Sequence, residues 1–446
     1  MSSYVTRKTP GDTAWYTHDR FGMFIHFGIY SMASRSGGIK EHGCEWLKSD
    51  KCITEDEYDR YFKLFNPDLY NPSDWAKQAK AAGMKYVVMT AKHHDGFCLF
   101  DSKYTDYKST NTPCGRDLIK EYADAFRAEG IRVGLYYSLL DWHHPDFTLD
   151  RFHPRRNDEN AEEINAKRDM KRYTKYMRDQ VEELLTNYGK IDIIWYDFSY
   201  TLPPRDKSVK FTKGKGKEDW EAEELIALTR KLQPGIIIDN RTGIEQDIIT
   251  PEQFQMHDWP KHEETGELLL WEACQTFSGS WAYDRDEFSW KSPDTLLRML
   301  VTTVSCGGNF IMNVGPTSRG YLDYRTEESL KVYADWMKYN SRSIYGCTMA
   351  EPEFKAPEGC RLTQSTDGKR LYIHLCEYPF AHLGMRNLAG KIEYAQFLHD
   401  GSEVTYTEGE IVTISNHITV YDDMVDFIIP TPKPHCELPV IEVFLK

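Results

Sequence analysis

Ile191-Asp192-Ile193-Ile194-Trp195-Tyr196-Asp197-Phe198 is an apolar run that ends in a carboxylate set among aromatic residues. A continuous Ile-rich run is the pattern of a buried parallel strand, and a charged group at its C-terminal end is costly unless it has a task. Two readings are open for Asp197 on this stretch alone. It is a catalytic nucleophile, or it caps the following helix or pairs with an arginine.

The same pattern recurs on both sides. Residues 21–28, 85–97, 131–142, 236–241, 268–277 and 309–316 are strand-like runs, most of which break into polar, charged or aromatic residues at their C-terminal ends. Helical stretches are expected at 58–64, 72–82, 117–129, 166–188, 219–232, 293–305 and 326–339, several of them stopped by glycine. Strands alternating with helices imply parallel pairing through right-handed crossovers. Functional-looking residues at so many strand ends fit a (β/α) TIM-like barrel, irregular in its second half, better than an open sheet. Neither a dinucleotide fingerprint nor a phosphate-binding loop follows any strand.

Beyond about residue 350 the texture changes to short alternating runs at 370–375, 392–398, 410–415, 425–429 and 440–444, with turn signals at Asp367-Gly368 and Asp400-Gly401. At 446 residues the chain exceeds one ordinary core, since cores stop growing near about 250–300 residues. The expected layout is a barrel over 1–348 and an antiparallel β-sandwich over 349–446.

Net charge is −14, from 55 basic and 69 acidic residues, with no long basic block. That argues against nucleic acid or an anionic membrane as partner. The opening MSSYVTRKTP has no apolar core of a leader, and the longest apolar stretches are strand-sized, so a soluble, unexported, cytoplasmic protein is expected. Ten cysteines without a C-x-x-C pair read as reduced thiols. Aromatic residues make up 13%, including 11 Trp and 28 Tyr, and a sugar-binding cleft uses such faces, as do large cores.

Cleaving a glycosidic bond with retention takes one ionised carboxylate to attack the anomeric carbon and a second carboxyl to protonate the leaving oxygen. Asp197 suits the first role, with His93, His94 or Arg241 to hold it ionised. For the second role Glu252, Glu272 and Glu245 are candidates, and Asp247 is a shorter one. Glu252 has apolar and aromatic neighbours in Phe254 and Trp259. Its competing reading is a helix N-terminal Glu after Pro251. His93-His94-Asp95 could instead suggest a metal-dependent hydrolase, but the partner motifs that would complete a zinc site are missing, so no metal or cofactor is expected.

The ordered set Met23-Phe-Ile-His-Phe-Gly28, Cys44-Glu45-Trp46, Lys92-His-His-Asp-Gly-Phe97, Leu135-Tyr-Tyr-Ser138, Trp195-Tyr-Asp197, Thr250-Pro-Glu252 and Gly307-Gly-Asn-Phe-Ile-Met-Asn-Val-Gly-Pro316 resembles glycoside hydrolase family 29, the α-L-fucosidases. It runs from about Trp15 to Gly346. The resemblance implies a retaining exo-enzyme on an irregular (β/α) barrel followed by a β-sandwich, with a fucosylated oligosaccharide as substrate and Asp197 as nucleophile. It also implies that His26, Glu45, Trp46, His93, His94, Tyr137 and Arg241 contact the sugar hydroxyls, with Trp195 and Trp281 shaping the apolar side. Glu252 matches the acid/base position best, with Glu272 the alternative. Thr242, where similar sequences often carry Trp, and Pro316-Thr-Ser-Arg319 depart from the pattern, and both bear on linkage preference more than on the reaction. An α-L-galactosidase, or a carbohydrate-binding protein without activity, are the other readings such a scaffold allows.

Overall fold

The computed structural model describes residues 4–35, 43–202, 211–409 and 423–446. Seven parallel strands form one curled sheet: β1 (Phe21–Ile25), β2 (Tyr86–Lys92), β3 (Arg132–Ser138), β4 (Ile193–Asp197), β5 (Ile237–Ile238), β6 (Glu272–Thr276) and β7 (Asn309–Val314). Their spatial order is β5-β4-β3-β2-β1-β7-β6. The gap between β5 and β6 is crossed by residues 248–252 through three single parallel bridges, Asp239 to Ile248, Ile249 to Trp271 and Glu252 to Cys274. This is the TIM-like barrel expected from the alternation, with its sixth staves reduced to isolated bridges.

Strand periodicity sorts the side chains into two sets. Phe24, Tyr86, Val88, Tyr136, Ile193, Trp195, Ile237 and Ile311 point inward and pack together with Cys274 as the barrel's interior. The alternate residues, such as Met23, Val87, Leu135 and Ile194, face the helices and join the larger outer core. Three of the helices that flank the sheet start on side-chain caps: Asp117 accepts from Lys120 N, Ser292 from Thr295 N and Asp323 from Thr326 N. Helix Pro293–Ser305 ends before Gly307, whose φ of 75° and backbone pressed against the Trp259 ring leave no room for a Cβ. The long helix expected at 166–188 is Met170–Asn187, preceded by a separate short helix Ala161–Asn165.

The last part of the chain forms a five-stranded antiparallel sheet and a three-stranded one. The first contains Cys347–Met349, Cys360–Ser365, Arg370–Leu375, Ile392–Phe397 and Val440–Leu445; the second, His382–Arg386, Tyr406–Glu408 and Met424–Ile428. The boundary expected at 348/349 cuts through the first of these strands, which pairs with Cys360–Ser365. The strand expected at 410–415 lies outside the described residues. Trp336 Nε1 donates to Leu438 O at 2.9 Å, and Tyr372, Leu398 and Val440 join the outer core of the barrel. Among the described residues the sandwich therefore packs on the barrel's helices.

The interior of the barrel holds one carboxyl in its lower layer. Glu272, the first residue of β6, is fully buried and accepts from Tyr86 Oη and from Trp195 Nε1, the latter at 3.1 Å. Burial pushes its carboxyl up from 4.5 to about 7 against the pull of those donors. A raised folded-state value means that the native protein keeps a proton the unfolded chain has released. The stabilisation is complete below about pH 4.5 and is lost as pH climbs through about 7. Thermal melts at stepped pH should show the parent losing ground to Glu272→Gln across that window. Parallel curves would contradict the assignment.

Candidate active site

At the C-terminal end of the barrel almost every strand delivers a side chain to one pocket. Its lining includes His26 beyond β1, His93 and His94 beyond β2, Tyr136 on β3, Asp197 at the tip of β4, and Arg241 beyond β5. Glu252 comes from the bridging segment, Cys274 from β6, Trp281 from the loop after it, and Glu45 and Trp46 from the short turn Cys44–Trp46. Parallel strands that all end on the same side make this convergence a property of the topology.

Asp197 is buried, with Oδ2 accepting from Tyr136 Oη at 2.6 Å and Oδ1 from Arg241 Nη1 at 2.8 Å. The same Nη1 donates to Glu252 Oε2 at 2.9 Å. The facing oxygens of the two carboxylates can therefore be no farther apart than those two bonds laid end to end. Arg241 is itself fixed by Thr250, whose Oγ1 accepts from Nε at 2.9 Å and whose carbonyl accepts from Nη2 at 3.2 Å. Its guanidinium carbon lies 5.0 Å from the centre of the Trp195 ring, which forms the floor.

The reach of Arg241 depends on an early end to β5. Ile237 and Ile238 pair with Ile193 and Ile194, but the next rung is taken by a side chain, with Tyr196 N donating to Asp239 Oδ1 at 3.2 Å. Asp239 meanwhile bridges to Ile248 on its other side. The backbone is thus released from β4 two residues before Arg241, and a ladder that continued would hold the guanidinium's strand alongside Asp197 instead of letting it cross above.

Charge is partitioned sharply. Burial raises the Asp197 carboxyl, but the Arg241 charge and the Tyr136 hydroxyl outweigh it and hold it below its ordinary value. Burial lowers His26 to about 4, against its bond to Asn313, and takes His93 well below the ordinary imidazole value. Both rings are neutral at neutral pH. His26 Nδ1 lies 2.6 Å from Asn313 Oδ1 and His94 Nδ1 lies 2.6 Å from Ser138 Oγ, so neighbours fix the orientation of each ring. His93 Nδ1 is buried with no partner among the described residues. Glu45 Oε2 accepts from Ala282 N at 3.4 Å, which ties the first loop to the loop after β6.

Of the residues assigned to the catalytic pair Asp197 and Glu252 or to contact with the sugar, all but one line this pocket. The exception is Tyr137. Strand parity turns it outward, where its hydroxyl donates to Gln180 Oε1 at 2.7 Å and its ring receives Lys92 Nζ at 4.4 Å. Its neighbour Tyr136 takes the inward place, and the rule that i and i+2 share a face would have chosen it from Ile193, Trp195 and Asp197 on the adjacent strand. Phe24, Phe198 and Cys274 also line the pocket and were not anticipated. Among the other acid candidates, Glu272 sits beneath the Trp195 floor. Glu245 pairs with Arg7, and Asp247 pairs with Arg230 and caps Ile238 N, both away from the pocket.

His93, His94 and Asp95 do not converge on a common point, since Asp95 accepts from Tyr58 Oη at 3.0 Å and from Phe97 N at 3.1 Å. Among the described residues the group spaced to hold an ion is Glu55, Asp59 and His143. Lys48 Nζ already stands 3.0 Å from Glu55 Oε2 there.

Comparison with protein families matches residues 2–342 to the family described as alpha-L-fucosidase. An alpha-L-fucosidase of Dictyostelium discoideum is 28% identical over 403 residues, which is 84% of this chain and 79% of that one. The human plasma alpha-L-fucosidase is 29% identical over 74% of this chain and 69% of its own. Among solved structures, alpha-L-fucosidase isoenzyme 1 from Paenibacillus thiaminolyticus superposes with a TM-score of 0.85 at 42% identity, covering 97% of this chain and 98% of that one. A family 29 alpha-L-fucosidase from Bacteroides thetaiotaomicron, solved as a trapped covalent intermediate with 2-fluoro-fucosyl fluoride using a Glu-to-Gln mutant, superposes with a TM-score of 0.80 at 27% identity over 99% of this chain and 98% of its own. With an alignment that runs through the barrel and its whole catalytic face, the chain belongs to the α-L-fucosidases of glycoside hydrolase family 29.

Proposed function

We propose that this protein is a retaining exo-α-L-fucosidase that removes terminal α-L-fucosyl residues from oligosaccharides or glycoconjugates. The observation that carries the reading is the single Arg241 nitrogen shared by Asp197 and Glu252. Sharing one nitrogen holds the facing oxygens of the two carboxylates short of the roughly 6.5–9.5 Å that an inverting pair leaves for water, which favours the closer pairing of a retaining enzyme.

In the first half-reaction a carboxylate oxygen of Asp197 attacks the anomeric carbon as its bond to the leaving oxygen breaks. Glu252 supplies the proton that leaves with that oxygen. In the second, Glu252 takes a proton from water, the water oxygen attacks the same carbon, and the fucosyl-aspartate ester bond breaks to restore the free carboxylate. The low proton affinity of Asp197 suits it to the attack, and its network with Tyr136 and Arg241 accepts the change in charge as the ester forms and breaks. Neutral His26 and His93, together with His94 and Glu45, offer donors and acceptors for ring hydroxyls, while Phe24, Trp195 and Trp281 supply an apolar wall suited to the 5-methyl group. A pocket of this kind rejects the extra hydroxyl of L-galactose only weakly, so comparing rates on the two aryl glycosides tests the sugar assignment. A clear preference for the galactoside would overturn it.

NMR of the first product should show the released sugar in the α configuration, and initial release of the β anomer would refute the mechanism. Asp197→Gly should lose about three or more orders of magnitude in turnover and recover part of it with azide. Glu252→Ala should fail chiefly on substrates with poor leaving groups. Tyr136→Phe removes a donor that favours the ionised carboxylate. The acidic limb of its kcat/KM profile should move to higher pH, with an activity loss of about 10- to 100-fold, the worth of a hydrogen bond to a charged group. An unmoved limb would show that the hydroxyl does not tune Asp197.

A further inference from the structure

The residue after Asp197 departs from ordinary backbone geometry. Phe198 has a φ of 91°, in the region that favours glycine, and a bulky residue held there costs about 1–3 kcal/mol. Such strain persists only where surrounding packing fixes it, and here the packing is aromatic. The Phe198 ring centre lies 5.2 Å from both Trp46 and Phe152, and Phe152 lies 5.5 Å from Trp46 and 4.8 Å from Tyr200. Arg151 caps the series, its guanidinium carbon 5.1 Å from the Phe152 ring and 5.0 Å from the Tyr200 ring.

Position along this series changes from pocket to surface. Trp46 and Phe198 line the pocket that holds Asp197; Phe152 and Arg151 do not. All four are only partly buried. A terminal fucose fills a pocket, but the sugar it is attached to must pass out of it, and a strip of partly exposed rings ending in a guanidinium has the chemistry to meet a pyranose: faces for its C–H bonds and N–H donors for its hydroxyls. Simple core filling would not require the one strained bulky residue in the strip to stand beside the nucleophile.

We propose that Trp46, Phe198, Phe152 and Arg151 form a binding strip for the sugar that carries the fucose, so that this enzyme recognises an oligosaccharide beyond the residue it removes. The proposal deepens the fucosidase reading and rests on it. The backbone strain at Phe198 is what turns its ring into line with the other two.

The test compares α-L-fucosyl fluoride, which has no sugar aglycone, with a fucosylated trisaccharide. Parent protein that turns over neither substrate would overturn the fucosidase reading itself, and the strip with it. With an active parent, Phe152→Leu and Arg151→Ala should keep kcat/KM on the fluoride within about twofold while KM for the trisaccharide rises about five- to tenfold at little change in kcat, the range expected for one aromatic contact. An unchanged trisaccharide KM, or an equal loss on both substrates, would overturn the strip. A separate arm addresses the strain. Phe198→Gly should melt above Phe198→Ala, the reverse of the usual order, because only glycine is relaxed at this φ. If the alanine variant melts higher, the strain does not hold the ring in place.

Discussion

Nη1 of Arg241 is the atom on which the mouth of the barrel depends. Asp197 is buried at a strand tip, where an unpaired carboxylate would be about 3–5 kcal/mol less favourable than a paired one. The guanidinium compensates it from one side and the Tyr136 hydroxyl from the other. Because the same nitrogen also donates to Glu252, the interaction that keeps one carboxylate ionised positions the second. The remaining support is mechanical: Thr250 grips the guanidinium twice, Trp195 lies beneath it, and the Asp239 side chain ends the β5 ladder so that Arg241 can cross to β4. Each of these comes from a different strand or loop, and only a closed ring of parallel strands brings them to one side.

Around this charged centre two of the imidazoles are neutral. His26 and His93 are stripped of their protons by burial, and Asn313 and Ser138 hold the rings of His26 and His94. Neutral imidazoles offer one donor and one acceptor each, which suits hydroxyl groups whose orientation must be read, and they add no positive charge to compete with Arg241 for the nucleophile. The perturbed Glu272 beneath the floor shows that an unusual proton affinity alone does not mark a catalytic group. It is a buried structural acid bonded to Tyr86 and Trp195, and its position below the Trp195 ring keeps it out of the pocket.

Much of this was legible in the chain. Ile-rich runs alternating with amphipathic, capped helices gave the barrel, and a carboxylate at the end of such a run pointed to Asp197. Tyr137 was carried over from the family resemblance, and strand parity corrects it: two adjacent tyrosines on one strand cannot both face inward, and the neighbouring Trp195 and Asp197 say that Tyr136 does. The bridging segment that carries Glu252 was less readable. Its contacts are single bridges at Ile248, Ile249 and Glu252 to three different partners, so no periodicity announces it. β5 was legible as the run at 236–241, but its end after Ile238, which a side-chain hydrogen bond sets, was not. In the sandwich, strands His382–Arg386 and Tyr406–Glu408 are short and polar, and they take their conformation from pairing with Met424–Ile428 rather than from their own preference.

The account stands on Asp197 bonding covalently to the sugar, and mass spectrometry of the protein after reaction with 2-fluoro-fucosyl fluoride reads that bond directly. The mass increment should fall on the peptide containing Ile193–Asp197 and, on fragmentation, on Asp197 itself. An increment on Glu252, Glu45 or any other carboxylate would contradict the account.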